Sequence, residues 1–181
     1  AQSKKFITIN GTPGNALGAY LNGADIVVNG NVQDAVGDTM NEGKIIVNGN
    51  AGDALGYAMR GGEIFIKGDT GYRTGIHMKE YNDKKPVIVI GGGTGSFLGE
   101  YLAGGIIIVL GLNYDNIPVG NFVGTGMHGG KIFIRSKKVI ENISPQINVK
   151  QADKNDLESI KGFLKDFADI FNENLNEIFN V

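Results

Sequence analysis

Cysteine and tryptophan are absent from this sequence, and proline occurs only four times in 181 residues. Without cysteine the chain can form no disulfide, cannot hold an iron–sulfur cluster through thiolates and has no thiol nucleophile. No apolar run approaches the ~18 residues of a membrane-spanning helix, and the N-terminus lacks a signal-peptide pattern. The formal net charge of −2 gives no electrostatic reason to expect nucleic acid or an anionic membrane. We therefore expect a cytoplasmic protein.

Glycine, by contrast, is abundant, with 29 residues that recur at a fixed interval. Gly11, Gly30, Gly49 and Gly68 follow one another in steps of 19 residues. Such a period indicates an array of stacked repeats. A corner that is repeated at every level calls for glycine, which tolerates positive φ and close backbone approach. The glycines that we interpret as structural corners of the repeat are Gly11, Gly14, Gly18, Gly30, Gly37, Gly49, Gly52, Gly56, Gly68, Gly71, Gly75, Gly92, Gly95, Gly99, Gly120 and Gly124.

Each repeat also contains one short apolar strand, at residues 26–28, 45–47, 64–66, 88–90, 107–109 and 132–134. A unit of 19 residues is too short for a strand–helix–strand crossover, which needs ~30 residues. We therefore predict an all-β fold, a right-handed parallel β-helix or single-stranded solenoid of six to seven turns. This domain covers residues 1–136, and a linker with a C-terminal α-helical tail follows at 137–181.

Side-chain alternation along each strand predicts that Ile26, Val28 and their equivalents at the other levels point into the interior. Two further columns are expected to fill the interior: Leu17, Val36, Leu55, Leu98 and Val123, and Leu21, Met40, Met59, Met78, Leu102 and Met127. The outer face still has an apolar centre at each level: Val27, Ile46, Phe65, Val89, Ile108 and Phe133. A tail helix over 154–171 would present a matching face: Leu157, Ile160, Leu164, Phe167 and Phe171. We expect the tail to lie along this outer stripe, or to compete with a partner for it.

The pattern Gly-x-x-Gly-x-x-x-Gly followed by an apolar strand resembles the GXGXG domain. That domain is the C-terminal β-helix of the glutamate synthase large subunit, and it recurs in one of the subunits of formylmethanofuran dehydrogenase. The similarity covers residues 11–136 and is most specific at 52–56, 95–111 and 124–130. The acidic tail also looks like the end of the synthase polypeptide.

The resemblance implies a non-catalytic scaffold subunit of a split glutamate synthase, which makes glutamate from glutamine and 2-oxoglutarate. Its partners would be a class II amidotransferase chain and an FMN/iron–sulfur synthase chain, and ammonia would pass between them. Two alternatives stay open: the related scaffold subunit of a formylmethanofuran dehydrogenase, and an independent protein built on the same repeat. The resemblance transfers no catalytic, cofactor-binding or metal-binding residue to this chain, and a homo-oligomer is a further possibility.

Few residues are candidates for chemistry. Residues 91–95 are rich in glycine but lack the lysine and the following helix of a phosphate loop. His77 and His128 fall at different places in the repeat and more than two turns apart, so a metal site is not expected. Insertions in repeats usually form contact loops. We therefore expect possible partner contacts at Lys79, Tyr81, Tyr114 and His128.

Overall fold

The computed structural model describes residues 5–140 and 143–179. Seven strands form one sheet in which every pair of neighbours is parallel and the spatial order follows the chain. Their runs of isoleucine and valine suit a pleated surface buried on at least one face. The strands are β1 (Phe6–Asn10), β2 (Asn22–Asn29), β3 (Glu42–Val47), β4 (Glu63–Ile66), β5 (Val87–Ile90), β6 (Ala103–Val109) and β7 (Gly129–Ile134).

The predicted all-β right-handed parallel β-helix is wrong as a fold class. Each repeat contributes one strand to a single seven-stranded parallel sheet, which two C-terminal helices follow, as in an α/β-type sheet with a C-terminal helix. Between strands the described chain forms turns, and successive turns are joined by backbone hydrogen bonds and by isolated bridges such as Thr70 to Thr94. The physical reason is backbone conformation: Ala16 (φ 59°) and Tyr20 (φ 57°) lie in the left-handed region, which interrupts extended structure.

The register of the sheet matches the repeat. Ile26 pairs with Ile45, Ile45 with Ile64, and the same column continues to Ile132. This face and the two predicted interior columns form one buried cluster, with Leu17, Leu21 and Met127 partly buried at its ends. The predicted strand register and interior face are therefore confirmed.

Two helices follow the sheet, α1 (Lys154–Phe171) and α2 (Leu175–Phe179). The Asp153 side chain accepts a hydrogen bond from the Asp156 amide at 2.9 Å, which makes Asp153 the N-cap of α1. The helix ends at Asn172, whose φ of 56° is left-handed. Neither helix within the described residues is long and apolar enough to cross a bilayer. The domain boundary after residue 136 stays a prediction.

Helix α1 covers the outer face of the sheet. Phe65, Val89 and Ile108 of the predicted stripe are buried in a second apolar cluster, together with these helical residues: Ile160, Leu164, Phe167, Ala168, Phe171 and Ile178. The prediction that the tail lies along the stripe is confirmed for these three levels; Ile46 and Phe133 are partly buried against the same cluster, and Val27 takes no part in it. One member of the predicted helical face is wrong, because Leu157 is 40% exposed and takes no part in this cluster.

Ion pairs fix the direction of α1 across the strands. Near its N-terminus, Asp156 lies 2.9 Å from Lys131 Nζ of β7, and farther along Asp166 lies 3.6 Å from Lys44 Nζ of β3. Asp156 is buried and also pairs with Lys150 at 2.6 Å. Hydrogen bonds from Lys150 and then Lys131 hold the pKa of the Asp156 carboxyl far below its usual range.

Candidate partner-binding groove

An open groove lies where the turns that follow β3, β4, β5 and β6 stack on one another. Its volume is about 360 Å³, and it is lined by Ala58, Arg60, His77, Lys79, Tyr101, Ala103 and His128. Arg60, Lys79, Ala103 and His128 are equivalent positions, each the fourth after a turn glycine. Ala58, His77 and Tyr101 occupy the second position. The small side chains of Ala58 and Ala103 leave the depression between larger neighbours.

The backbone holds the second position of these turns in a left-handed conformation. φ is 50° at Ala58, 56° at His77 and 53° at Tyr101. The His77 amide donates to the Glu100 carbonyl at 2.9 Å, and the Tyr101 amide donates to the Thr125 carbonyl at 2.8 Å. A residue other than glycine in the left-handed conformation raises the free energy of the backbone by roughly 1–2 kcal/mol relative to the right-handed conformation. Tyr20 (φ 57°) and Thr39 (φ 51°) adopt the same conformation at the equivalent position of earlier repeats, so it is a feature of the repeated turn.

Aromatic rings form one wall of the groove. The His77 ring stacks on Tyr101 with centroids 5.0 Å apart and planes 9° from parallel. Tyr57 meets the other side of His77 edge-on, with centroids 5.8 Å apart. A second exposed stack lies on the adjacent turn column, where Arg73 covers Phe97 at 5.1 Å and Phe97 stacks on Phe122 at 5.1 Å. Tyr101 and Phe122 are 45% and 55% exposed, so both stacks face solvent.

The charge of the groove is positive. Among the residues that the structure describes, neither Arg60 nor Lys79 has a carboxylate within ion-pair distance. Arg60 Nε is buried and has no hydrogen-bond partner within this described part of the chain. His128 Nδ1 lies 2.9 Å from the Gly126 carbonyl, which suits the tautomer that donates from Nδ1 and leaves Nε2 available.

Nearby acidic side chains are engaged elsewhere. Glu100 lies 3.0 Å from Arg73 Nε, and Glu42 lies 3.0 Å from Lys84 Nζ. Glu80 Oε1 accepts a hydrogen bond from the Gly105 amide at 3.1 Å and lies 3.7 Å from Lys85 Nζ. Within residues 5–140 and 143–179, these pairings leave Arg60 and Lys79 without a carboxylate counter-ion.

The predicted contact residues are only partly brought together. Lys79 and His128 line the groove, and Tyr81 lies beside it with its ring 6.0 Å from the Arg60 guanidinium. Tyr114 stands apart: its hydroxyl donates to Asp69 at 3.1 Å, and burial and this hydrogen bond raise its pKa. That these residues contact a partner stays a prediction.

Sequence reasoning missed Arg60, His77 and Tyr101 as members of the site. The 19-residue step from Arg60 to Lys79 was the available signal, because it stacks the two cations. His77 and His128 do occupy different places in the repeat, the second and the fourth position after a turn glycine, yet both line the groove. Stacking at ~4.8 Å per level keeps residues of successive repeats close even when many residues separate them.

The repeat glycines meet two different structural needs. Gly56 has a φ of 68°, and an ideal Cβ on it would lie 2.5 Å from Ile88 Cδ1 in the core. At Gly71, where φ is not positive, an ideal Cβ would overlap Asp53 Oδ1. That oxygen accepts a hydrogen bond from the Tyr72 amide at 2.8 Å, one rung of a ladder formed by Asn15, Asp34 and Asp53. Asn31, Asn50 and Asp69 form a second ladder, in which each side-chain oxygen accepts a hydrogen bond from a backbone amide of the next repeat.

No resident metal or cofactor site emerges from the described residues. They contain no group of three or more histidine, aspartate or glutamate side chains placed to hold a metal ion. Residues 91–95 form a turn rather than a phosphate loop, because the next element is β6 and no helix follows. The Thr94 amide donates to the Pro118 carbonyl at 2.8 Å, so this loop is tied to the neighbouring repeat.

Comparison with known proteins identifies the family. An uncharacterized protein of Methanocaldococcus jannaschii is 46% identical over 105 residues, a match that covers 56% of this chain and 40% of that protein. A family model described as the GXGXG motif matches residues 2–180. In agreement with the resemblance to the GXGXG domain of glutamate synthase, the chain belongs to the GXGXG motif family.

Proposed function

We propose that this chain is a non-catalytic scaffold subunit of a split glutamate synthase. An amidotransferase chain would release ammonia from glutamine, and an FMN/iron–sulfur synthase chain would use it with 2-oxoglutarate to form glutamate. This chain would dock both, which keeps the two sites close enough for ammonia to pass between them. Membership of the GXGXG motif family supports this assignment.

The observation that carries the proposal is the distribution of exposed aromatic rings. Tyrosine and phenylalanine are enriched in protein interfaces because they bury a large area at a low entropic cost. On this chain the described exposed rings lie mainly on the turns and loops: Tyr20, Tyr57, Tyr72, Tyr81, Tyr101, Tyr114 and Phe122. The outer face of the sheet is instead covered by α1. The turn surface therefore offers the area for docking partners.

The residues also disfavour catalysis by the chain alone. A reactive site needs a nucleophile or base, its orienting partner and an electrophilic group that meet in one cleft. The groove gathers cations and rings but no described carboxylate that could act as a base beside His77 or His128. Because the sequence contains no cysteine, it cannot supply the thiol nucleophile of an amidotransferase.

Purification of the tagged chain from a native lysate tests the proposal. We expect it to recover, in stoichiometric amounts, a chain with flavin and iron–sulfur absorbance and an amidotransferase chain that begins with cysteine. Recovery of a pterin-metal enzyme instead would support the formylmethanofuran dehydrogenase alternative. Recovery of neither would contradict a scaffold function.

A further inference from the structure

The cationic groove has the composition of a site for an acidic polypeptide. Arg60, Lys79, His77 and His128 come from three levels of the stacked turns, where ~4.8 Å separates one level from the next. Arg60 and Lys79 place two positive charges on successive levels, and their long side chains can reach carboxylates on alternate residues of an extended peptide, which lie ~6.8 Å apart. The Tyr101 ring stacked on His77 adds an apolar wall for the stem of an acidic side chain.

We propose that this groove binds an acidic segment of a partner chain, an inference that rests on the proposed scaffold function. The Arg60 guanidinium has no described carboxylate within ion-pair distance and its buried Nε has no described hydrogen-bond partner, so its positive charge is left uncompensated. The Lys79 ammonium likewise lacks a described carboxylate, while Glu42, Glu80 and Glu100 are paired with other cations. A carboxylate of the partner chain would provide the hydrogen-bond acceptors that Arg60 and Lys79 lack within the described residues.

The openness of the groove favours a polypeptide over a small metabolite. Sites for small molecules enclose most of the ligand surface. Here the side chains of His77, Lys79, Tyr101 and His128 are all exposed, so a small anion would stay largely hydrated. A segment attached to a docked partner adds contacts along the turns and holds its carboxylates at a high local concentration.

The test uses the full chain and a fluorescent peptide of about ten residues that alternates glutamate and alanine, with a glutamine-for-glutamate peptide as the neutral probe. Binding is followed by fluorescence anisotropy at low salt. We expect the acidic peptide to bind, and the double variant Arg60→Gln/Lys79→Gln to bind it at least about tenfold more weakly. The matched control Lys67→Gln/Lys165→Gln removes the same charge from exposed lysines outside the groove. Its Kd for the acidic peptide should stay within about twofold of the Kd of the parent chain.

Several outcomes overturn the inference. Equal loss in both double variants would mean that net charge alone attracts the peptide. The inference would also be contradicted if the acidic peptide did not bind, or if the neutral peptide bound equally well. Displacement of the peptide by inorganic phosphate at concentrations below the Kd of the peptide, or tighter binding of a single-stranded DNA, would contradict it as well. Thermal melts that superimpose for both variants exclude unfolding as the cause.

The same variants separate this inference from the scaffold function. If Arg60→Gln/Lys79→Gln still recovers the catalytic chains at parental yield, the groove proposal fails and the scaffold stands. If the unaltered chain recovers no catalytic chain, the scaffold function fails, whether or not the acidic peptide binds to the groove.

Discussion

Phe167 of α1 packs directly on Gly91 at the end of β5. An ideal Cβ on Gly91 would lie 2.7 Å from Phe167 Cζ, so the ring occupies the space that any larger residue would need. Phe167 is fully buried and also meets Phe171 edge-on, with ring centroids 4.8 Å apart. The close fit of ring to backbone makes α1 an integral layer of the fold.

Phe167→Ala tests the contribution of this layer. Loss of a fully buried phenylalanine should lower the free energy of unfolding by about 3–5 kcal/mol. Leu157→Ala, on the exposed side of the same helix, should change it by less than about 0.5 kcal/mol. Denaturant melts that give similar losses for both variants would show that the helix does not pack as described.

Removal of residues 152–181 should expose the sheet face beneath the tail. Phe65, Val89 and Ile108 would then reach solvent, because α1 buries all three. We expect the shortened chain to aggregate or to bind a hydrophobic dye strongly. A shortened chain that stays monomeric and silent to the dye would contradict the covering role of the tail.

Gly56→Val should destabilise the chain by about 2–4 kcal/mol, since valine at positive φ is strained and its side chain would collide with Ile88. Gly162→Ala is the matched change at a glycine that is free to accept a Cβ, because nothing lies within 4 Å of that position. It should stabilise α1 by about 0.5–1 kcal/mol. Urea melts should therefore shift in opposite directions.

Asp156 predicts a dependence of stability on acid pH. Its folded-state pKa is depressed by Lys150 and Lys131, so its stabilising contribution is complete above its ordinary pKa of 3.8 and is lost as pH falls below that value. We expect Asp156→Asn to lower Tm by a constant amount between neutral pH and about pH 5, and the difference to shrink below about pH 4. A difference that grows in acid would contradict the ion pairs.

Much of the sheet could be predicted from the sequence, because the 19-residue repeat sets the register and alternation along 26–28 separates the faces. The fold class could not be predicted from the sequence. The glycine pattern indicated corners, but Ala16, Tyr20 and His77 also adopt left-handed backbone, which their residue types do not predict. These residues turn the chain between one strand and the next.

The groove was harder to predict than the core. A buried column is marked by repeated apolar residues, whereas the groove depends on residues that differ from level to level, as Ala103 does between Lys79 and His128. Its depth comes from the small side chains of Ala58 and Ala103. Only the stacked geometry shows that these unlike residues share one surface.

Reconstitution of glutamate formation tests the central claim most directly. The two catalytic chains are assayed for glutamine-dependent glutamate synthesis and for free ammonia, with and without this chain. We predict that this chain alone has no activity, and that its addition raises glutamate formed per glutamine hydrolysed while free ammonia falls. Catalytic chains that couple the two reactions equally well without it would contradict the account.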